Sequence, residues 1–315
     1  MSIIQNIFQF EFMRNAFMAG FIISLLCPCI GLFLVLKRYS MIGDTLSHSS
    51  FAGVAIGLVF GINPLLSAFI FTTICALLIE LLRNYYKKYA ELSMSIILTF
   101  SLGLALILIS SGKSSTTVNS FLFGSILTVS KSDLIIISIV SILCFIGIFS
   151  LYNKLIYTTF DEEGAKVSGI NTKLINYIFT IIVGATISVS IRVMGILVIS
   201  SIIVIPAATA MQFKKGFTKS LIISMLVGVI DVLSGLFLAS LFDLAPGGTI
   251  ALTSVIVLIL SLIINRKKLW FIKEIKKGAK NIFCTFFNKL YWSSKLKFPS
   301  SSSYLKSLFF LYKYL

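Results

Sequence analysis

Charged residues and histidine are both scarce in this chain. Asp, Glu, Lys and Arg make up 12% of the 315 residues, whereas they form about a quarter of an average soluble domain. His48 is the only histidine, and it lies inside an apolar run. A Ser/His/Asp or Cys/His hydrolase site would depend on that one side chain. The composition therefore excludes an ordinary charged surface and disfavours an enzyme.

Acidic residues are rarer in this chain than basic ones. The chain has 11 Asp and Glu against 27 Lys and Arg, for a formal net charge of +16. Most basic residues lie between apolar runs or in the tail, where they set orientation and attract anionic lipid. Gly112-Lys113-Ser114 resembles the end of a phosphate-binding loop, but the required glycine is missing at Ile107. We therefore expect a lipid bilayer as a partner, no nucleic acid, and no nucleotide site.

The cysteines of this sequence do not indicate a disulfide-bonded protein. Of the five cysteines, four fall inside apolar runs, so a disulfide framework is not expected. Cys27-Pro28-Cys29 is compatible with a soft-metal site. Small apolar residues packed at a helix kink are the commoner interpretation of such a triplet.

Long apolar runs are abundant. Hydrophobic residues make up 57% of the chain, and the mean hydropathy is +1.02. The runs are about 20 residues long, which is the length of a helix that crosses a bilayer. The apolar stretch 121–129 is too short to cross and is expected to be re-entrant or lateral. We predict an all-α, polytopic transmembrane helical bundle of about nine spans, at residues 15–36, 41–61, 65–82, 92–111, 132–151, 174–191, 193–211, 221–241 and 247–264.

The predicted chain has three parts. An amphipathic interfacial segment covers 1–13, the transmembrane domain covers 14–265, and a basic cytoplasmic tail covers 266–315. Lysine and arginine concentrate at alternate ends of the spans. The excess of positive charge on the cytoplasmic side predicts an external N-terminus and a cytoplasmic C-terminus.

Asp44 and His48 are the most informative pair of residues. They stand four apart in a run that should be a membrane helix, so they share one face. Ionisable side chains at membrane depth are costly and indicate a functional site. A carboxylate with an imidazole suits zinc, manganese or iron. The alternative is structural, with Asp44 as a helix-end cap and His48 in an interhelical hydrogen bond.

The same run carries Gly53, Gly57 and Gly61 at four-residue spacing. This small-xxx-small pattern lets two helices approach closely. At about 100° per residue the glycines project away from Asp44 and His48. The pattern predicts a helix that packs on one side and faces a path on the other, or else a packing seam alone.

The segment 152–173 interrupts the apolar runs on the predicted cytoplasmic side. Within it, acidic residues precede a short helical pattern and a glycine follows it, as at ordinary helix ends. A surface helix held between two spans fits either a docking site for a soluble partner or a plain connector. The residues concerned are Asp161, Glu162, Glu163, Gly164, Ala165 and Gly169.

Three further positions stand out inside or between later spans. Gly195 lies at a tight reversal, and Pro206 is expected to kink the span that follows. Asp231 lies in the middle of a span, where a carboxylate needs a partner or a path. It is a candidate second pathway group, or a hydrogen-bond partner of Ser224 or Ser234 in its own helix.

Four stretches are informative together: LFLVLKRYSMIGDTLSHSSFAGVAIG, FDEEGAKVSGI, RVMGILVISSIIVIPAATA and DLAPGGTIAL. They resemble the ABC-3 metal permease family and occur in the family's order, and the resemblance covers about residues 14–265. The sequence departs from the family pattern at Ser49, at Phe51-Ala52 before Gly53, and at Asp231. The tail from about Lys268 is longer than the family leads one to expect.

The resemblance implies the fold of a type II ABC importer permease that forms a homodimer in the cell membrane. It implies cytoplasmic ATPase subunits that contact the segment around Asp161 to Ile170, and an extracytoplasmic metal-binding protein. It also implies that Asp44 and His48 lie on the metal pathway. The permease would do no covalent chemistry and keep no permanent cofactor, and its cargo would be a divalent zinc, manganese or iron ion.

Two other transport mechanisms stay open at this stage. A proton-coupled secondary transporter would use Asp44, His48 and Asp231 as a relay and would work without an ATPase. A type II ABC permease for a metal chelate would need a wide cavity and would tolerate loss of His48.

Overall fold

The computed structural model describes residues 10–86, 89–110, 120–124, 129–242 and 244–264. All regular structure in these ranges is helical, which confirms the predicted class. The helices are α1 Glu11–Leu36, α2 Ser40–Phe60, α3 Pro64–Tyr85, α4 Ala90–Ser110, α5 Lys131–Ser150, α6 Tyr152–Phe160, α7 Glu162–Val167, α8 Thr172–Met194, α9 Ile196–Met211, α10 Phe217–Phe242 and α11 Pro246–Ile264.

The predicted terminal parts fall largely outside the described residues. Contacts divide the chain into units Met1–Ile263 and Ile264–Leu315. The predicted basic tail 266–315 lies outside the described ranges, as do residues 1–9 of the predicted interfacial segment. Glu11 to Met13 belong to α1, so this part of the segment is not separate from the first span. Of the stretch 121–129, residues 121–123 are helical, and 125–128 lie outside the described residues.

Each of the nine predicted spans corresponds to one helix, but only seven of the nine are long and apolar enough to cross a membrane. The first exception, α2, has 21 residues but is too polar, because it carries Asp44, His48 and several serines. The second, α9, is apolar but has 16 residues. At 1.5 Å per residue it extends about 24 Å, less than the hydrocarbon thickness of about 30 Å.

Helices α1 and α8 form the centre of the bundle. In their most apolar windows 72% and 78% of residues are buried, against 28% in α4, α5 and α11. Helix α1 contacts α5, α8, α9 and α10, while α2 packs against α3, α4, α8 and α9. The outer helices present large apolar side chains on their free faces, as lipid-facing helices do.

Local signals explain where several helices begin. The side chain of Asn63 accepts hydrogen bonds from the backbone nitrogens of Leu65 and Leu66, and Pro64 occupies the first helical position of α3. Ser130 and Asp133 form a reciprocal capping box at the start of α5. Asn171 caps α8 in the same way as Asn63 caps α3. These caps satisfy backbone donors that would otherwise lie unpaired at the ends of spans.

Candidate functional site

Asp44 and His48 lie together on one face of α2. Nε2 of His48 stands 3.7 Å from Oδ1 of Asp44, and their side chains are 21% and 42% exposed. Nδ1 of His48 is buried and has no hydrogen-bond partner among the described residues. Most other residues of α2 are buried. The pair therefore opens onto the one free face of a helix that is otherwise enclosed by the bundle.

The opposite face of α2 packs tightly on α3. A Cβ on Gly53 would stand 2.6 Å from the Cα of Ala68, and one on Gly57 would stand 2.8 Å from the Cα of Pro64. Gly61 does not take part in this packing, contrary to the sequence expectation. No described residue lies within 4 Å of its Cβ position, and its φ of +69° ends α2 in the left-handed conformation.

Helix α9 lies beside the start of α2. The Cβ position of Gly43 is 3.6 Å from Cδ1 of Ile203 and 3.8 Å from the Cα of Ser200. The free face of α9 continues from there with the partly exposed Ser200, Ser201, Val204 and Ala208. The larger residues Leu197, Ile205 and Met211 border this patch. A surface made by α2 and α9 therefore combines the Asp44–His48 pair with a patch of small side chains that larger apolar ones surround.

Hydroxyl groups line the boundary between α2 and α4. Oγ of Ser49 lies 2.8 Å from Oγ of Ser101, which in turn lies 4.0 Å from Sγ of Cys75. This bond gives Ser49, a departure from the family pattern, a packing role between helices. Within the described ranges, no group of three or more His, Cys, Asp and Glu side chains could hold a metal ion. Asp44 and His48 alone would be an incomplete ligand set for a metal ion.

The predicted docking segment consists of two helices rather than one. Helix α6 ends before Asp161, whose side chain accepts a hydrogen bond from the backbone nitrogen of Gly164 at 2.8 Å and caps α7. At the other end, Gly169 has a φ of +80° and donates to the carbonyl oxygen of Lys166, while Ile170 donates to that of Ala165. This paired C-terminal motif needs glycine at its left-handed position.

One face of α7 is anchored and the other is free. Ala165 is fully buried, whereas the side chain of Glu163 is exposed and forms a 3.1 Å ion pair with Lys166. That hydrogen bond raises the pKa of Lys166 above its usual value. Val167 is 89% exposed. Sequence reasoning missed Val167, because a single valine at the end of a short helical pattern carries no signal of its own.

An aromatic cluster joins α6 to the spans. Phe33 of α1 contacts the rings of Tyr152, Phe179 and Phe217 at centroid distances of 6.5, 6.0 and 5.0 Å. Phe160, the last residue of α6, stacks edge-on against Phe217 at 6.0 Å. Phe33 itself is completely buried. These ring contacts connect α6 to α1, α8 and α10.

The linker between α1 and α2 borders the same segment. Nζ of Lys37 donates to Oδ1 of Asn176 at 2.8 Å, and burial lowers the pKa of Lys37 to about 8. The ring of Tyr39 lies 4.4 Å from the guanidinium of Arg83, which pairs with Glu80 at 2.8 Å. Between the linker and α6–α7 is a cleft of about 370 Å³, lined by Leu36, Lys37, Arg38, Tyr39, Thr158, Thr159, Phe160 and Glu162.

Gly195 lies at a three-way backbone contact at the predicted outer end of α8. A Cβ on Gly195 would overlap the backbone of Gly124, and one on Gly247 would stand 2.6 Å from the carbonyl oxygen of Met194. Beside this junction, Arg192 forms an ion pair with the buried Asp133 at the start of α5. The sequence did not predict this pairing of Arg192 with Asp133, because 59 residues separate them.

Pro206 and Asp231 are the last two residues that the sequence analysis singled out. Pro206 lies inside α9, where it leaves the carbonyl oxygen of Ile202 without its helical donor. Asp231 lies on α10, which packs against α1 and α9 and makes no extensive contact with α2. Ser224 donates to Pro28 and Ser234 to Ile230, so neither bonds the Asp231 carboxylate. The structure does not bring Asp231 to the Asp44–His48 pair.

Comparison with known families accounts for nearly all of the described bundle. The profile of the ABC 3 transport family matches residues 9–265. The chain belongs to the ABC 3 transport family. The matched range includes α2 with Asp44 and His48, the α6–α7 segment, and α9.

Relatives within the ABC 3 transport family match along almost their whole length. A "Probable metal transport system membrane protein" of Treponema pallidum is 45% identical over 253 residues, covering 80% of this chain and 95% of the relative. The "High-affinity zinc uptake system membrane protein ZnuB" of Buchnera aphidicola subsp. Acyrthosiphon pisum is 33% identical, with 82% and 99% covered. With seven apolar helices, this family member is a multi-pass protein of the cell membrane.

A solved structure has the same fold. "PsaBC from Streptococcus pneumoniae in complex with Fab" aligns with a TM-score of 0.74 at 27% identity, over 82% of this chain and 94% of that one. The helical fold described above is therefore shared by a solved structure.

Proposed function

We propose that this chain is the membrane-spanning permease subunit of an ATP-driven importer for a divalent transition metal ion, namely zinc, manganese or iron. One observation carries the proposal: the Asp44–His48 pair lies on the free face of an otherwise enclosed helix. Ionisable groups at membrane depth face a partner or a watered path rather than lipid. The names of the relatives, a metal transport protein and a zinc uptake protein, support a metal as the cargo.

The incomplete ligand set suits transport and points to a second copy of the chain. Most structural zinc sites have four protein ligands, whereas Asp44 and His48 supply two. A homodimer that buries the α2–α9 surface would bring a second pair to the same axis, since a two-fold interface presents the same patch from both subunits. The small residues of α9 favour such a close contact. Two ligands from each chain would hold an ion loosely enough to release it.

The cytoplasmic side fits a separate ATPase as the source of energy. Helix α7 exposes Val167 and carries acidic residues, while the aromatic cluster and the Lys37–Tyr39 linker connect it to the spans. ATP hydrolysis on the partner would move α6 and α7, and the linker would pass that motion to the start of α2. The permease would do no covalent chemistry, and an extracytoplasmic metal-binding protein would deliver the ion on the opposite side.

Metal accumulation in cells that lack their own importers tests this function. The cells would express the chain with its ATPase and binding protein, and elemental analysis would report zinc, manganese and iron together. The parent chain should raise the accumulation of one metal, and Asp44→Ala and His48→Ala should each abolish the accumulation of that same metal. Glu91→Ala removes an exposed carboxylate in the first turn of α4 and is the matched control. All variants must be compared at equal membrane abundance.

The outcomes separate the competing mechanisms. Uptake that survives both Asp44→Ala and His48→Ala would make the pair structural. Uptake that persists without the ATPase, and follows a pH gradient, would indicate a secondary transporter. Tolerance of His48→Ala, with uptake only of chelated metal, would indicate a chelate permease.

A further inference from the structure

Asp231 is a carboxylate without a partner in the interior of the bundle. Its side chain is 0% exposed, and neither oxygen has a hydrogen-bond partner among the described residues. Neighbouring contacts locate it: the Cβ position of Gly228 is 2.7 Å from the carbonyl oxygen of Ser24, and Oγ1 of Thr253 donates to the backbone oxygen of Asp231 at 3.0 Å. Asp231 therefore lies where α10 meets α1 and α11.

No cation reaches this position from the helices that surround it. Neither α9 nor α11 contains any titratable side chain. Helix α1 contributes the thiols of Cys27 and Cys29 near this level, and its charged residues Glu11 and Arg14 are at least ten residues away from Ser24. On α10 itself, Lys219 is twelve residues from Asp231, about 18 Å along the helix axis. A charged carboxylate here would be buried and unpaired, at a cost of several kcal/mol.

The polar groups around Asp231 are hydrogen-bond acceptors, which suit an O–H donor rather than a metal ion. Oγ of Ser254 lies near the Asp231 carboxylate without a hydrogen bond to it. It donates to the carbonyl oxygen of Ile250 at 2.9 Å and so retains lone pairs that can accept. Pro28 has no N–H, so the carbonyl oxygen of Ser24 also lacks its helical donor. A protonated carboxyl group supplies one O–H donor. A hard metal ion would require about six oxygen ligands, more than this position provides.

We propose that Asp231 is a proton-binding site inside the bundle, occupied in the packing described here, and that Ser254 of α11 is the acceptor available to its O–H group. The ligand is a proton, and the site is separate from the Asp44–His48 pair. Deprotonation would destabilise this contact of α10 with α1 and α11. An arrangement in which water reaches Asp231 would therefore gain population as the pH rises.

Infrared spectroscopy on the full chain in lipid nanodiscs tests the proposal without any transport. Labelling the side-chain carboxyl of aspartate with carbon-13 distinguishes aspartic from glutamic acid. At neutral pH the parent should show the carbonyl stretch of a protonated aspartic acid, and the label should shift it. Asp231→Asn should remove that band, whereas Asp44→Asn should retain it. Ser254→Ala should move the band because it removes the hydrogen-bond acceptor.

Three results would overturn the site. They are the absence of a protonated aspartate band in the parent at neutral pH, a band that survives Asp231→Asn, and a band that appears only after sodium and potassium are removed. The last would assign the site to a metal cation. If Asp231→Asn does not fold, Ser254→Ala decides, since an unmoved band would contradict the assigned acceptor.

Discussion

Gly53 of α2 lies directly against Ala68 of α3, with its Cβ position 2.6 Å from the Cα of Ala68 and 2.9 Å from the carbonyl oxygen of Ser67. Both neighbours are backbone atoms and cannot turn aside. Gly53→Ala should therefore lower the free energy of unfolding by about 1–3 kcal/mol, as overpacking does. Thermal unfolding in detergent would show it as a lower Tm.

Gly103→Ala is the matched control for that substitution. Gly103 is also helical, but none of the residues that the structure describes lies within 4 Å of its Cβ position. Alanine there should hold or raise the Tm, because alanine has the higher helix propensity. Equal Tm values for the two variants would mean that α2 and α3 do not approach as closely as described.

The exposed Val167 predicts the position of the ATPase interface, on the basis of the proposed function. Val167→Asp places a charge on a side chain that is 89% exposed, so the fold should be unaffected. If the side chain is central to the interface, its loss should weaken binding of the ATPase subunit by about 2 kcal/mol, or about thirtyfold in Kd. Copurification and a binding isotherm would measure this.

Leu244→Asp is the control for Val167→Asp. Leu244 is likewise an exposed apolar residue, but it lies at the predicted outer end of α10. It should leave ATPase binding unchanged. Comparable losses in both variants would indicate a general effect of the new charge rather than a local interface.

The burial of Lys37 should make the stability of the protein depend on pH. Burial, with a smaller contribution from Arg83, lowers its pKa to about 8 against the opposing effect of Glu162 and Glu80. In the unfolded chain a lysine has a pKa of about 10.4. Between these values the unfolded state binds more protons, so the free energy of unfolding should rise with pH, by up to about 1.4 kcal/mol per unit.

Lys37→Met should remove that slope between about pH 8 and pH 10. Denaturant titrations of parent and variant in detergent, at several pH values, would give the difference. Lys154→Met removes an exposed lysine of α6 and controls for the loss of one positive charge. A parent and a Lys37→Met variant with parallel pH profiles would contradict the burial of Lys37.

The Arg192–Asp133 ion pair should contribute far more to stability than the exposed Lys131–Glu11 ion pair. Asp133 is buried, so Arg192→Leu leaves a buried carboxylate with only the Ser130 bonds. The expected loss of stability is about 3 kcal/mol. Lys131→Ala breaks the exposed pair with Glu11 and should change the Tm little.

A double variant tests whether the pair itself is responsible. Arg192→Leu combined with Asp133→Asn should recover part of the lost stability, because the buried charge is removed as well. Additive losses would show that Arg192 acts through packing and not through its charge.

Local patterns in the sequence determined the helical class, the position of each apolar run and the shared face of Asp44 and His48. A span needs about 20 apolar residues in succession, and residues four apart in a helix are neighbours, so neither depends on distant parts of the chain. The same holds for the ends of α7, where Asp161 and Gly169 act within their own turns.

Only the tertiary structure decided what each helix faces. It paired Arg192 with Asp133 across 59 residues and placed Gly53 on Ala68. Among the described residues, it left the Cβ position of Gly61 without a neighbour and the enclosed Asp231 carboxylate without a hydrogen-bond partner. It also showed that Asp44 and His48 remain partly exposed while most other residues of α2 are buried. Such contacts depend on how distant helices pack, and the periodicity of one helix contains no information about the side chains of another.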